Sequence, residues 1–188
     1  MEDDTKKINI LGVNNRYQMK KVINDRIPDT ENKHKKRIPS ANWDNHIEIY
    51  NYTKQLQIIC DISNNNYGVV DSMSKIVVQE ISKKMSGYKQ QDRLKNRYDE
   101  INFITFESVI QQMIDSQLMC RYCRREMLVV YDISRENSQW SVDRINNDIG
   151  HNVNNFHLAC LECNLSRRRR TDEKFLFTKQ LNIIKRET

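Results

Sequence analysis

Cys120-Arg-Tyr-Cys123 and Cys160-Leu-Glu-Cys163 decide how this chain is read, together with Trp140-Ser-Val-Asp-Arg-Ile145 between them and Asn155-Phe-His-Leu-Ala159, which leads into the second pair. Two thiolates two residues apart grip one side of a tetrahedral Zn²⁺, and two such pairs close the coordination sphere. A zinc held by Cys120, Cys123, Cys160 and Cys163 therefore has no open position for substrate, and its expected role is structural. What it holds in place carries the chemistry. Asp143, His151, His157 and Asn164 lie between the pairs or directly after the second, and offer hard oxygen and nitrogen groups suited to a second, catalytic divalent ion.

Outward from the knuckles, the pattern changes twice. Met127–Tyr131 and Gln139–Ile145 are short β-prone runs separated by the polar Arg135–Ser138, a hairpin-like arrangement. Gly150 breaks the next segment, Asn155–Ala159 reads as another strand, and helical character begins at Leu161. The order is strand, long loop, strand, helix, with the second knuckle at the strand-to-helix turn. Upstream, Phe106, Val109/Ile110, Met113/Ile114 and Leu118 recur at helical spacing into Cys120. Val69/Val70, Met73, Ile76/Val77, Ile81, Met85 and Tyr88 form a longer stripe of the same kind. Residues 1–48 mix charges of both signs with Pro28 and Pro39, show no sustained period, and are expected to be a largely disordered tail. Within it, Lys33-His-Lys-Lys-Arg37 reads as a solvated charge run rather than an import signal or phosphate-binding arm. The expected fold class is α+β: a helical unit over 49–103 of no assigned role, then a small zinc-bound domain over 104–188 ending in a helix.

The composition bounds the function. With 188 residues, 38% hydrophobic and 30% charged, there is room for one ordinary domain and a smaller unit. No apolar run approaches the roughly 20 residues of a membrane span, and the acidic start Met-Glu-Asp-Asp lacks the apolar core of a secretory signal. An intracellular setting, cytoplasmic or nuclear, is expected, and the Asn-, Ile- and Lys-rich style suits a large DNA virus and its infected host cell. Four of the five cysteines stand in paired knuckles, which favours metal binding over disulfides; Cys60 is left as a buried thiol. The net charge of +6 is a mild excess, so clustering matters more than the total. Arg167-Arg168-Arg169-Arg170 follows Asn164 after Leu165 and Ser166. Fanned about 100° apart on a helix, two or three of them are expected to reach a nucleic-acid backbone while the others stay solvated. With Arg121, Arg124 and Arg125 at the first knuckle they form an expected basic rim, with DNA the expected partner and RNA left open.

The knuckles stand farther apart than the roughly 12–20 residues of compact zinc fingers and ribbons. In residue type, order and spacing, Cys-x-x-Cys, then Val-Asp143-Arg-Ile, Gly150-His151, Asn155 and Cys160-x-x-Cys163-Asn164 resemble the zinc-containing HNH endonucleases, whose fold is the ββα-metal finger. The likeness is to the Asp-Arg-Ile branch common in phages and large DNA viruses, and covers about residues 104–175. It implies that Asp143 and Asn164 supply oxygen ligands to one Mg²⁺ or Mn²⁺ and that Asn155 braces the loop and orients the base. At the family's usual first-motif histidine this chain has Arg144. A guanidinium stays protonated and cannot act as base, but its fork suits clamping the scissile phosphate. Three candidates for the base remain open: His151, which is preferred, His157, and metal-bound water losing its proton to solvent. The leading expectation is a single-metal DNA endonuclease held by structural zinc. The runner-up is a zinc-dependent nucleic-acid-binding module without turnover, and a third reading is a zinc-ribbon adaptor.

Overall fold

The computed structural model describes residues 36–37, 43, 47–64 and 72–180. Most of the expected tail over 1–48 therefore lies outside the described residues. Of the basic run, Lys36 and Arg37 are described, and Arg37 departs from the solvated reading. It packs 4.3 Å above the Tyr131 ring, pairs with Glu80 at 2.6 Å, and donates to the Tyr131 carbonyl.

The chain is α+β. Helix α1 spans Tyr52–Ser63, α2 Ser72–Leu94 and α3 Phe106–Asp115; strands β1 (Trp140–Arg144) and β2 (Phe156–Cys160) follow, then α4 (Leu161–Arg167) and α5 (Asp172–Gln180). Asn51 caps α1 by accepting the Lys54 amide, and Gln55, Ile58, Ile59 and Ile62 present one buried face. Thr105 and Ser108 form a reciprocal capping box at the start of α3, which buries Val109, Ile110 and Met113. Gln117 and Leu118 then take left-handed backbone angles, which ends the helix short of the expected Leu118 and turns the chain into the first knuckle.

The sheet is two-stranded and antiparallel, with Trp140 opposite Cys160 and Asp143 opposite His157. Met127–Tyr131, expected as a strand, is not one: Leu128 makes only an isolated bridge to Gln139. The reason is Gln55, fully buried on α1. Its amide oxygen accepts the Val129 and Val130 N–H groups at 2.7 and 3.1 Å, and its Nε2 donates to the Val130 and Ile49 carbonyls at 2.9 and 2.7 Å. One side chain thus does for this segment what a neighbouring strand would do.

A single core joins these elements. Ile58, Ile59, Val77 and Ile81 of α1 and α2 belong to the same buried cluster as Val109, Met113, Trp140, Val142, Leu158 and Phe175. The buried core is continuous across the boundary expected at 103/104. The outer edge of β1 is covered by side chains of α2. Tyr88 Oη accepts the Val142 N–H at 3.0 Å and Lys84 Nζ donates to the Trp140 carbonyl. Four residues of helix advance about 6 Å, close to the roughly 6.6 Å of two strand residues, so Lys84 and Tyr88 match positions 140 and 142. An edge so covered offers no free ladder to another chain. Among the described residues no helix is long and apolar enough to cross a membrane.

Gln55→Leu removes the partners of two buried N–H groups at about 1–3 kcal/mol each. Urea unfolding should show a loss on the order of 3 kcal/mol; a loss under about 1 kcal/mol would mean that Val129 and Val130 find other acceptors.

Candidate functional site

The four knuckle cysteines come together. Their sulfur atoms all lie within 4.8 Å of one another, and Cys123 Sγ is 3.8 Å from Cys160 Sγ. A tetrahedron with Zn–S bonds of about 2.3 Å has S···S edges of about 3.8 Å, so the cluster has the dimensions of a Cys₄ metal site that can hold an ion such as zinc. The backbone is arranged for thiolates: the Cys160 N–H points at Cys120 Sγ at 3.3 Å. The first knuckle is a tight turn closed by Cys120 N–H donating to Arg125 O and Arg124 N–H donating to Cys120 O. It leans on β2 through Arg121 N–H and Leu158 O at 3.1 Å. Cys160 ends β2 and caps α4, and the first amides of α4 donate to Gln139 and Asn137 carbonyls, which satisfies donors a helix start leaves open. Arg125 pairs with Glu162 across the two knuckles.

Asp143 points from β1 toward α4 and is buried at 3% exposure. Arg167, one turn beyond Asn164, grips it as a fork: Nε to Oδ2 at 2.6 Å and Nη2 to Oδ1 at 2.7 Å. Tyr122, inside the first knuckle, donates to the same Oδ2 at 2.5 Å and bridges to Asp172 Oδ1 at 2.8 Å. Burial, reinforced by both carboxylates, pushes the Tyr122 phenol far up, so it stays a donor whose one proton is shared between two acids. Arg121 balances Asp172 at 3.1 Å. His157, cross-strand from Asp143, lies 3.7 Å from Asp172, and burial, aided by Arg121, holds its imidazole below 6.5. Sequence reasoning passed over Tyr122 and Asp172; the only signal was a tyrosine inside a metal knuckle, where a polar tip has no ordinary role.

Asn164 Nδ2 donates to Ser141 Oγ and the Val142 carbonyl at 3.1 and 3.2 Å. Among the described residues its Oδ1 has no hydrogen-bond partner. Asn155 is buried and ties the loop between the strands. Its Oδ1 accepts the Asn146 N–H at 2.8 Å, and its Nδ2 donates to the Asn146 and Gly150 carbonyls, both at 2.9 Å. Arg144 follows Asp143 and so faces the other side of the sheet, where Nη1 reaches the Ile149 carbonyl at 3.2 Å. His151 also lies on that side, buried, with Nδ1 2.9 Å from Asp92 Oδ1.

The arginine run divides as its fan around the helix axis requires, but Arg167, expected at the rim or in solvent, turns inward. Arg167 is 1% exposed and serves Asp143. Arg170 folds back on the Ser166 and Arg167 carbonyls and stacks 4.5 Å over Phe175. Arg168, at a left-handed φ of 53°, and Arg169 remain exposed, as does Arg124. A cleft of about 610 Å³ runs between Ile145–Asp148 and the turn into α5, with Arg169 and Arg170 on its wall and Arg167 at its base. No family model, curated protein or solved structure matches this chain.

Asp143→Ala strands a buried guanidinium, and removing one partner of a buried pair costs about 3–5 kcal/mol; chemical denaturation should show a loss of that size, and a loss below about 1 kcal/mol would mean that Arg167 swings out to water. Because His157 sits below 6.5 when folded, the unfolded chain binds the proton first, and the stability due to neutral His157 is lost as pH falls from 6.5 through its folded value. At equal zinc loading His157→Gln should flatten that decline between pH 7 and 5; an unchanged slope would assign it to other groups.

Proposed function

We propose that this chain is an HNH-type endonuclease that hydrolyses DNA phosphodiester bonds, built on a ββα-metal finger whose Cys₄ zinc is structural. The observation that carries the reading is the loop between the strands. Asn155 ties Asn146 to Gly150, directly before His151, so the loop's ends and the candidate base are fixed relative to Asp143 and Asn164. Arg144, on the face of β1 opposite Asp143, reaches the Ile149 carbonyl just before Gly150 and His151.

By donor type Asp143 and Asn164 fit a small oxygen-seeking ion such as Mg²⁺ or Mn²⁺. Asn164 offers an open amide oxygen, whereas the Asp143 carboxylate already has its compensating charge in Arg167, so an ion has to exchange with that guanidinium. When bound, such an ion supplies charge neutralisation at the scissile phosphate and the leaving oxygen. The protein's own part is positioning. Arg144 presents a fork to the non-bridging oxygens, His151 takes the proton of the attacking water, and Arg168, Arg169 and Arg124 hold the flanking phosphates without reading sequence.

A second reading, a nucleic-acid-binding module without turnover, is favoured by one specific observation: both oxygens of Asp143 are held by Arg167. Nicking of supercoiled plasmid by zinc-loaded protein in Mg²⁺ or Mn²⁺ separates the two. The diagnostic variants are Asn164→Ala and His151→Ala rather than Asp143→Ala, whose loss of activity would be confounded by unfolding. Nicking by the wild type that disappears in Asn164→Ala supports the nuclease. Intact plasmid with salt-sensitive retention in a gel shift supports the binding module, and loss of both points to an adaptor. Removing Arg168 or Arg169 should lower the salt slope of binding by about 0.9 each.

A further inference from the structure

We infer that α2 supplies a positioning residue to the candidate site: Asp92 holds the Nδ1–H of His151 and leaves Nε2 as the nitrogen that accepts a proton. The catalytic meaning of this arrangement rests on the nuclease reading; the tautomer rests on geometry alone.

Asp92 is fully buried, and its carboxylate grips His151 twice. Oδ1 lies 2.9 Å from Nδ1, and Oδ2 accepts the backbone N–H of the same residue at 2.7 Å. A carboxylate only accepts, so the shared proton belongs to Nδ1. The far side of the residue is fixed as well, since the His151 carbonyl accepts the Ile104 N–H at 2.9 Å. The ring lies on Tyr88, with centroids 4.6 Å apart and planes at 27°, which sets its rotation about χ2. Among the described residues Nε2 makes no hydrogen bond. Backbone, ring plane and tautomer are thus all fixed while one nitrogen stays open, which is what a general base requires.

The approach that makes this possible is specified by Gly150. A Cβ at that position would lie 2.4 Å from the Arg97 carbonyl oxygen and 2.9 Å from Asp92 Oδ2, so only glycine lets the loop come this close to the end of α2. On the helix, Glu80, Lys84, Tyr88 and Asp92 form one stripe at a spacing of four. They meet in turn Arg37, the Trp140 carbonyl, the Val142 amide and His151. The same face that covers the sheet edge therefore ends on the imidazole, and the position of Asp92 is set by the docking of the whole helix.

The charged groups facing His151 are Asp92 from α2, Lys95 just beyond it and Arg144 from β1. Burial lowers its affinity for a proton, Arg144 and Lys95 lower it further, and Asp92 opposes them. The imidazole is accordingly neutral near pH 7, while Asp92 stabilises the imidazolium that forms when a proton arrives. Residues 49–103 thereby gain a role, because a piece of the chain without α2 has no partner for Nδ1.

Long-range ¹H–¹⁵N correlation on the zinc-loaded full chain labelled at histidine reads the tautomer directly, with His151→Gln to assign the signal. The wild type should carry its proton on Nδ1 near neutral pH. In Asp92→Asn that preference should be lost, and plasmid nicking should fall by about 10²–10⁴-fold, the range a general base contributes, with KM changed far less than kcat. A wild-type imidazole protonated on Nε2, or an Asp92→Asn variant with tautomer and rate unchanged, would overturn the inference. If Asp92→Asn does not fold, the wild-type spectrum alone decides. If the wild type nicks no DNA with either ion, the nuclease reading falls, and the tautomer still tells whether Asp92 orients His151.

Discussion

Closure of the four-sulfur cluster is the constraint on which the rest of this small structure depends. Two strands of five residues each cannot sustain themselves in water, and the segment that follows α3 has few regular hydrogen bonds of its own. Bringing Cys120 and Cys123 against Cys160 and Cys163 ties the exit of α3 to the junction of β2 and α4, two places far apart in sequence. In such sites the ion's binding energy is folding energy. Once that junction is fixed, α4 must lie across β1, and its inward positions fall on Asn164 and Arg167, opposite Ser141 and Asp143.

The two faces of β1 then acquire different chemistry. Toward α4 lies a buried ionic network in which Arg167, Arg121, Tyr122 and His157 surround Asp143 and Asp172. Its charges are desolvated, so it stabilises only while complete, and it fixes the position of Asp143 far more tightly than a surface carboxylate would be fixed. Toward α2 lie Arg144, His151 and Asp92, where a hydrogen-bonded imidazole meets the end of the polar stripe of that helix. The strand acts as a partition, and the loop tied by Asn155 is where the two sides meet.

How much of this was legible in the sequence depends on the range of the interaction concerned. The knuckles, the helix leading to them, the strand before Cys160 and the helix after it all follow from local spacing, and the structure places them within a few residues of expectation. Met127–Tyr131 misled because β propensity reports a segment that suits a half-buried extended path, not whether a partner strand exists; Gln55, over 70 residues upstream, was that partner. Arg167 misled for a related reason. Within a run of four arginines nothing local distinguishes the one that turns inward, and only the opposite placement of Asp143 makes its burial affordable.

By itself the sequence determined the four-sulfur set that can hold a metal, the strand-and-helix order around it and the α+β class, because each is written in residue types at short, regular spacing. Tertiary structure decided which polar groups face one another: Asp143 with Arg167, Tyr122 with two acids, and Asp92 with His151. Those pairings join residues up to 59 positions apart, and their energies arise from desolvation and geometry that exist only once the chain is folded. The apolar period of α2 was legible, but the stripe at Glu80, Lys84, Tyr88 and Asp92 has meaning only against the strand edge and the imidazole that it meets.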